Sequence, residues 1–446
     1  INHNQNMLCL DEFDILELRE NADECDYLFV VSPKIETKIC TKCGSCNVVN
    51  YGRYTKLVRD ININEHYTAL KIRGHKHLCK DCGSIFVDRF NTLDLCSKMT
   101  NRLRCKIQQL SLTKPFKHIT RQYKLSVTTI EKIALAYIRE KDSQHIMYSP
   151  EVLGIDEAHL NGSIRCVLTD INEHLLFEML PKRDKQTVMN YLDSLPDSNN
   201  IKVVTMDMYR PYREAVYECL PDAAIVIDRF HVVKLINDVL SDYRKTLCKQ
   251  LSAAEKKEIN SVQKALNTNR KDLTANQNKK LGYIYSKYPE LKMAYDLKEE
   301  FREIYECTNR RAAVLKYTKW SRKVKQNFSP YISITETVNR WSLEIFNYFD
   351  HPYTNGVTEA INGCIKAIAR DGKGYSFEIL RGKVLYGQAY KTKAIFSYNK
   401  FSPTIHYVTG PSTRSSLNMI QNLMDSYKQI SGADIDRLKL GLFLIG

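Results

Sequence analysis

The sequence predicts an α/β protein built on a mixed sheet, with smaller modules ahead of it. Three observations carry that expectation. Five short apolar runs separated by turns or helix-like stretches lie between Glu151 and His231, about a hundred residues after His231 keep helical spacing, and two matched cysteine pairs precede residue 100. The runs are 152–155, 164–168, 175–180, 201–206 and 223–227, with helix-like stretches at 185–195 and 212–220. Strands taken singly and then alternating with helices read as a mixed sheet.

Composition sets the limits. A chain of 446 residues is long enough for two to four domains, and 43% hydrophobic residues supply ordinary cores. The net charge of +15 and a pI near 9.0 point to a polyanionic partner, nucleic acid first. No run approaches the roughly 18 apolar residues that span a bilayer, and no signal-peptide layout opens the chain. Fourteen cysteines without an export signal imply reduced thiols or metal ligands, and hence a cytoplasmic, nucleoid-associated protein. The chain opens on Ile1, so a start upstream of it is expected.

The leader, residues 1–37, sets Asp11, Glu12, Asp14 and Glu17 between apolar residues and reads as a short helix. Cys40 and Cys43, then Cys79 and Cys82, are C-x2-C knuckles, each followed by glycine (Gly44, Gly83). Zinc takes four soft ligands in a tetrahedron, and each knuckle supplies two thiolates from one turn. The alternating stretches 54–63 and 66–72 fill the gap as a β-hairpin, with Cys46, His75 and His77 as spare candidates. Four thiolates close a coordination sphere, so such a zinc is structural.

Residues 100–140 have helical spacing. Within them 115–123 reads as a short helix, 124–127 as a turn, and 128–136 as the start of a second helix capped by Ser126 or Thr128 with Glu131 in support. In a helix-turn-helix the second helix enters the major groove. Thr128, Thr129 and Lys132 then face base edges, with Arg121 and Lys124 on phosphates. An ordinary αα-hairpin is the alternative.

Asp156 closes the run 152–155 and Asp207 closes 201–206. Carboxylates at the ends of neighbouring strands are what a two-metal phosphoryl-transfer site needs. Glu359 follows the turn at Asn355-Gly356, at the start of a helical stretch over 361–368, and supplies a third acid. Further on, Ser252 and Glu255 form a capping box, and Pro289 opens a helix reaching about residue 307.

Taken together, Gly154-Ile-Asp156-Glu157, Asp207-Met-Tyr-Arg-Pro-Tyr212, Asp228-Arg-Phe-His231 and Asn355-Gly-Val-Thr-Glu359-Ala-Ile-Asn362 resemble the ISL-three family of bacterial insertion-sequence transposases. The cysteine module resembles that family's zinc finger, and the likeness runs from about residue 40 to about 397. The resemblance implies an RNase H-like core with the triad Asp156, Asp207 and Glu359, holding two Mg2+ or Mn2+ ions. Glu157, Asp228 and His231 become supporting residues, while Gly372, Tyr375, Phe377 and Arg381 pack beside the site or touch the substrate backbone. The domains then read as a leader (1–37), zinc ribbon (38–95), helix-turn-helix (96–148), core (149–240 and 339–400), helical insertion (241–338) and a tail (401–446) without assigned role. Double-stranded DNA is the implied partner, bound by a homo-oligomer that pairs two element ends. A DNA-binding relic without catalysis and a purely hydrolytic nuclease are the rivals.

Overall fold

In the computed structural model, the described residues are 10–387, apart from 24, 35–36 and 94–97. The tail at 401–446 therefore lies outside them.

The leader is not a helix. It folds as β1 (Phe13–Ala22) and β2 (Cys25–Pro33), an antiparallel hairpin. The interspersed acids suggested a helical face, but the run Leu28–Val31 is apolar on both sides, as a central strand requires. β2 indeed lies between β1 and β4 (Thr68–Cys79), and β4 pairs with β3 (Val48–Arg59) and β5 (Ile85–Val87). The expected hairpin is present as β3 and β4, with both strands longer than the alternation suggested. Leader and cysteine knuckles thus share one five-stranded sheet, whose packed face holds Phe13, Phe29, Val31, Val58, Leu70 and Ile72.

Helices α1 (Asn101–Thr113), α2 (Phe116–Tyr123) and α3 (Val127–Gln144) follow and pack around Ile107, Ile119 and Ile130. Ser126 rather than Thr128 caps α3, accepting from the Thr129 amide at 3.2 Å. Lys124 takes the left-handed conformation that ends α2, with φ 40°. The first sheet grips this turn: Arg59 Nη1 donates to the carbonyls of Tyr123 and Lys124 at 3.1 and 3.0 Å, and the Tyr67 hydroxyl also donates to the Tyr123 carbonyl.

The second sheet holds β6 (Val152–Leu160), β7 (Ser163–Asp170), β8 (Leu175–Leu180), β9 (Val203–Met206) and β10 (Ala224–Ile227) in the order β10-β9-β6-β7-β8. β6, β9 and β10 run parallel, while β7 and β8 are antiparallel meander strands, so the sheet is mixed as expected. The connections between the parallel strands are α4 (Lys185–Asp193) and α5 (Arg210–Cys219). β6 does not stop at residue 155 but runs on to Leu160, because Ala158 and Leu160 continue the buried alternation against β7. Asp156 is therefore mid-strand, not strand-terminal.

α6 (Arg229–Lys249) leads into the helical region: α7 (Ala253–Ser261), α8 (Gln263–Asn267), α9 (Ala275–Lys287), α10 (Pro289–Arg302), α11 (Arg310–Asn327), α12 (Ile332–Arg340) and α13 (Ser342–Phe346). The Ser252–Glu255 capping box opens α7, and Pro289 opens α10, which tightens into a 3₁₀ turn at Glu303–Glu306. These helices share one apolar core with the α4–α5 face of the sheet, from Leu153 and Ile155 out to Tyr295, Trp320 and Tyr331. The chain then returns through α14 (Gly356–Gly372) and α15 (Phe377–Tyr386) to cover the opposite face, where Val152, Val167, Val203 and Val226 meet Val357, Ile361 and Ile365.

α15 fastens the first helices to this sheet. Arg381 makes a two-pronged pair with Glu178 on β8, at 2.8 and 2.7 Å, and reaches Asp142 on α3 at 2.8 Å. Lys383 is buried, donating to the carbonyls of Ser111 and of Lys114 (2.8 Å) at the end of α1. Tyr375 packs on Phe116, ring centroids 4.9 Å apart. Tyr375 and Arg381 thus join parts of the chain to each other.

Candidate functional site

Register places the acids. In the parallel ladder Ile155 lies beside Met206, and Met206 beside Ile227. The next residues are Asp156, Asp207 and Asp228, each following a registered position on one of three neighbouring strands. Side chains alternate along a strand. Gly154, Thr205 and Val226 face α14, so the residues two further on lean toward that helix as well. Ligands gather where parallel strands end at their carboxyl edge.

α14 is held to this edge by a buried amide. Asn355 Nδ2 donates to the Ile155 carbonyl at 3.1 Å, while its Oδ1 accepts from Thr205 (3.0 Å) and Thr358 (2.9 Å). Gly154 permits the approach: a Cβ there would lie 2.3 Å from Thr169 Oγ1 and 2.6 Å from Thr358 Oγ1. One turn beyond Asn355 stands Glu359, and one further turn carries Asn362, whose Nδ2 donates to Asp156 Oδ2 at 2.7 Å. Asp228 accepts from the Phe230 amide (3.0 Å) as the cap of α6 and from the Asn355 amide (3.3 Å).

His231, one turn into α6, sits among the acids. Its Nε2 is 3.0 Å from Asp207 Oδ1 and 3.8 Å from Glu359 Oε1. Asp228, His231 and Glu359 each offer a ligand atom within 4.8 Å of the other two. The Asp207–His231 approach is close but off the line of a hydrogen bond, so the buried Asp207 Oδ1 has no hydrogen-bond partner. Burial, then the charges of Asp156, Asp228, Glu157 and Glu359, push the Asp207 carboxyl up to about 8. Burial raises Asp156 too, against the amide of Glu157 and the Asn362 side chain. Glu157 pairs with Arg183, whose guanidinium lies 4.7 Å over the Tyr209 ring. Crowded carboxylates, one with a buried oxygen that accepts no hydrogen bond, form a hard, anionic donor set, of the kind that magnesium and manganese prefer.

The thiols form a second cluster. The Sγ atoms of Cys40, Cys43, Cys79 and Cys82 all lie within 4.8 Å of one another, with Cys40–Cys82 and Cys43–Cys79 at 3.6 Å. A zinc–sulfur bond of about 2.3 Å implies tetrahedral edges of about 3.8 Å, so the four fit zinc. The knuckles match: Gly44 (φ 75°) and Gly83 (φ 70°) return their amides to the Cys40 and Cys79 carbonyls at 3.0 and 2.9 Å. The spare candidates are elsewhere. Cys46 is exposed, and His77 pairs with buried Asp88 at 2.7 Å, whose other oxygen accepts from the His75 amide.

Arg121, Lys124, Thr128 and Lys132 are exposed and Thr129 is half-buried at the α2–α3 turn. Two of them are also engaged within the chain. The Lys124 ammonium lies 4.2 Å over the Tyr67 ring, and the Thr129 hydroxyl shares a hydrogen bond of 2.8 Å with Ser126 Oγ; Arg121 lines a cleft shared with residues 371–375. Asn355 and Asn362 belong to the sequence motif around Glu359, yet the sequence alone assigns neither a role. Their spacing from Glu359, four residues before it and three after, puts all three on one helix face and was the available signal.

Comparison with known proteins comes to the same region. Residues 153–384 match the profile of the ISL-three DDE family, described as transposase. The transposase for insertion sequence element IS1001 of Bordetella parapertussis is 26% identical over 359 residues, covering 77% of this chain and 87% of that protein. The transposase for insertion sequence element IS1557 of Mycobacterium tuberculosis is 24% identical over 252 residues, 50% of this chain and 56% of that protein.

Proposed function

This chain belongs to the ISL-three family of DDE transposases, and on that premise we propose that it binds the terminal inverted repeats of an insertion sequence and carries out metal-dependent strand cleavage and strand transfer there. The observation that carries the reading is the registered row Asp156, Asp207 and Asp228 beside Glu359 and His231, with Asp207 Oδ1 buried without a hydrogen bond.

Asp156 and Asp207 would hold two Mg2+ or Mn2+ ions, with Glu359 completing their coordination. Such ions, when bound, activate the attacking water or 3′-hydroxyl and stabilise the leaving oxygen. Asn362 holds Asp156 Oδ2 and the Glu157 amide holds Oδ1 at 2.7 Å, so the carboxylate is fixed in orientation with one remaining lone pair on each oxygen for the ions. Asp228 fixes α6 and thereby His231, whose imidazole stands at Asp207 and Glu359 and can take or return a proton beside them. The first cleavage frees a 3′-hydroxyl, and that hydroxyl then attacks target DNA in line. No side chain forms a bond to DNA in this scheme.

Recognition falls to the N-terminal half. We read the thiol cluster as a structural zinc site of a ribbon and α2–α3 as a helix-turn-helix, with Thr128, Thr129 and Lys132 at base edges and Arg121 and Lys124 on phosphates. The matched knuckles and the Ser126 cap support this. The sheet that carries the thiols clamps the α2–α3 turn, so a metal bound there stiffens the reading helix. Pairing of two element ends calls for a homo-oligomer on DNA. Among the described residues no helix is long and apolar enough to cross a membrane.

A strand-transfer assay with labelled element-end duplex and Mg2+ or Mn2+ tests the reading. The parent joins ends, while Asp156→Asn and Glu359→Gln bind the duplex and fail to join. A parent that binds but never cuts with either ion overturns it in favour of a DNA-binding relic, and one that cuts without joining favours a nuclease.

A further inference from the structure

Beside the acids, a cleft of about 590 Å3 opens between the start of α6 and the helical insertion. Glu359 lies at one end of it and the segment around Asn269 at the other. Phe230 lines it and is 56% exposed, so an aromatic surface is offered to whatever enters the cleft. Its ring centroid is 5.4 Å from that of His231, so whatever stacks on it lies next to the acids.

The walls are polar and unsatisfied. Tyr305 and Asn269 both line the cleft, and the Tyr305 hydroxyl and Asn269 Oδ1 are buried without a hydrogen-bond partner; Glu299 Oε1 lacks one too but lies 2.7 Å from the Lys298 ammonium. Each such group is costly until a ligand meets it. Tyr305 is fixed from behind by stacking on Phe349, centroids 5.9 Å apart. Arg229 and Arg302 bring guanidiniums from the two walls. Of the acids that also line it, Glu306 is matched by Lys271 at 2.6 Å, Glu303 by Lys316 at 3.0 Å and Asp272 by the Asn269 side-chain amide at 2.8 Å, while Asp228 caps α6.

We propose that this cleft receives one nucleotide of the DNA strand next to the scissile phosphate, turned out of the duplex stack. This rests on the transposase reading of the acids. The base stacks on Phe230, its edge meets Tyr305 and Asn269, and Arg229 and Arg302 hold the flanking phosphates. An inorganic anion leaves Phe230 bare, and an apolar ligand leaves both orphaned groups unmet. A nucleotide supplies a flat ring, donor and acceptor edges and negative charge together. The helical insertion then forms the second wall of the substrate site.

The test uses element-end duplexes with a single 2-aminopurine at successive positions around the cut, bound in Ca2+ to hold the chemistry. One position brightens with the parent protein. Phe230→Ala binds the duplex, loses that brightening and cuts about 10- to 100-fold more slowly in Mg2+, whereas Phe230→Trp keeps both. A mismatch opposite the same nucleotide restores cutting by Phe230→Ala, because the unpairing cost is then already met. The inference is overturned if no position brightens in a parent that cuts, if Phe230→Ala cuts at the parental rate, or if the mismatch gives no rescue. A parent that brightens one position through Phe230 yet never cuts overturns the catalytic reading and leaves the pocket standing.

Discussion

The thiol cluster and the carboxylate cluster are both assembled from residues far apart in sequence, and they are built in opposite ways. Each thiol pair comes from one tight turn, the turns are near copies, and four ligands close the sphere. The acids come singly from β6, from the ends of β9 and β10 and from α14, positioned by ladder register and by the Asn355 amide. One side of that cluster stays unmatched: Asp207 Oδ1 is buried without a hydrogen bond, and a cleft opens beside Glu359. On the proposed reading the thiol cluster, which only holds the chain together, completes its own interactions, whereas the acid cluster keeps unmet charge until substrate and cations arrive.

The largest effect that sharpens this contrast is expected at the closed cluster. On the zinc reading a strong chelator withdraws a contribution on the order of 10 kcal/mol, and Cys79→Ser withdraws part of it. The N-terminal sheet then loses its protease resistance and element-end binding disappears, while the β6–β10 unit stays folded by circular dichroism.

Asp207→Asn acts the other way. Strand transfer falls at least about a hundredfold, yet the metal-free protein melts no lower than the parent, because the amide, like the protonated acid, brings no charge into the crowded buried position. A large drop in melting temperature would erase the contrast between the two clusters. Asn362→Ala, which frees Asp156 Oδ2, costs about 10- to 100-fold in rate or in Mn2+ affinity, as expected for a ligand-orienting group.

The smallest effect is in pH. Asp207 has its carboxyl raised from 3.8 to about 8 in the folded chain. Between those values the native state holds a proton that the unfolded state has released. Its contribution to stability is thus complete below about pH 4 and is lost as pH rises toward 8. Metal-free parent should lose melting temperature over that window more steeply than Asp207→Asn. Mn2+ should stabilise the parent more at about pH 8 than at about pH 6, since the ion displaces that proton. Equal slopes for parent and variant would count against a raised Asp207.

Much of this was legible in the sequence because the signals were local. C-x2-C-G sets its own turn, apolar runs fix strands whatever their neighbours, and Ser252 with Glu255 caps its own helix. What escaped depended on distant partners. The leader became a hairpin because β4, some forty residues on, offers β2 a parallel edge. Asp156 read as strand-terminal because Asp156 and Glu157 interrupt the apolar run, while β7 keeps β6 extended to Leu160. Arg381 read as packing beside the site or touching the substrate backbone, and its partners Glu178 and Asp142 lie about two hundred residues away in sequence. The two asparagines of α14 were visible as letters, but only the fold shows what their amides hold.

Arg381 and Lys383 have one more consequence. Through them α15 is bolted to β8 on one side and to α1 and α3 on the other, by groups that are largely buried and charge-bearing. On the proposed reading, the helix that recognises DNA and the acids that cut it then share one frame and cannot swing independently. The chain becomes a ruler. The distance along the duplex from recognised bases to severed bond is set in the protein, and DNA must bend to meet the fixed mark.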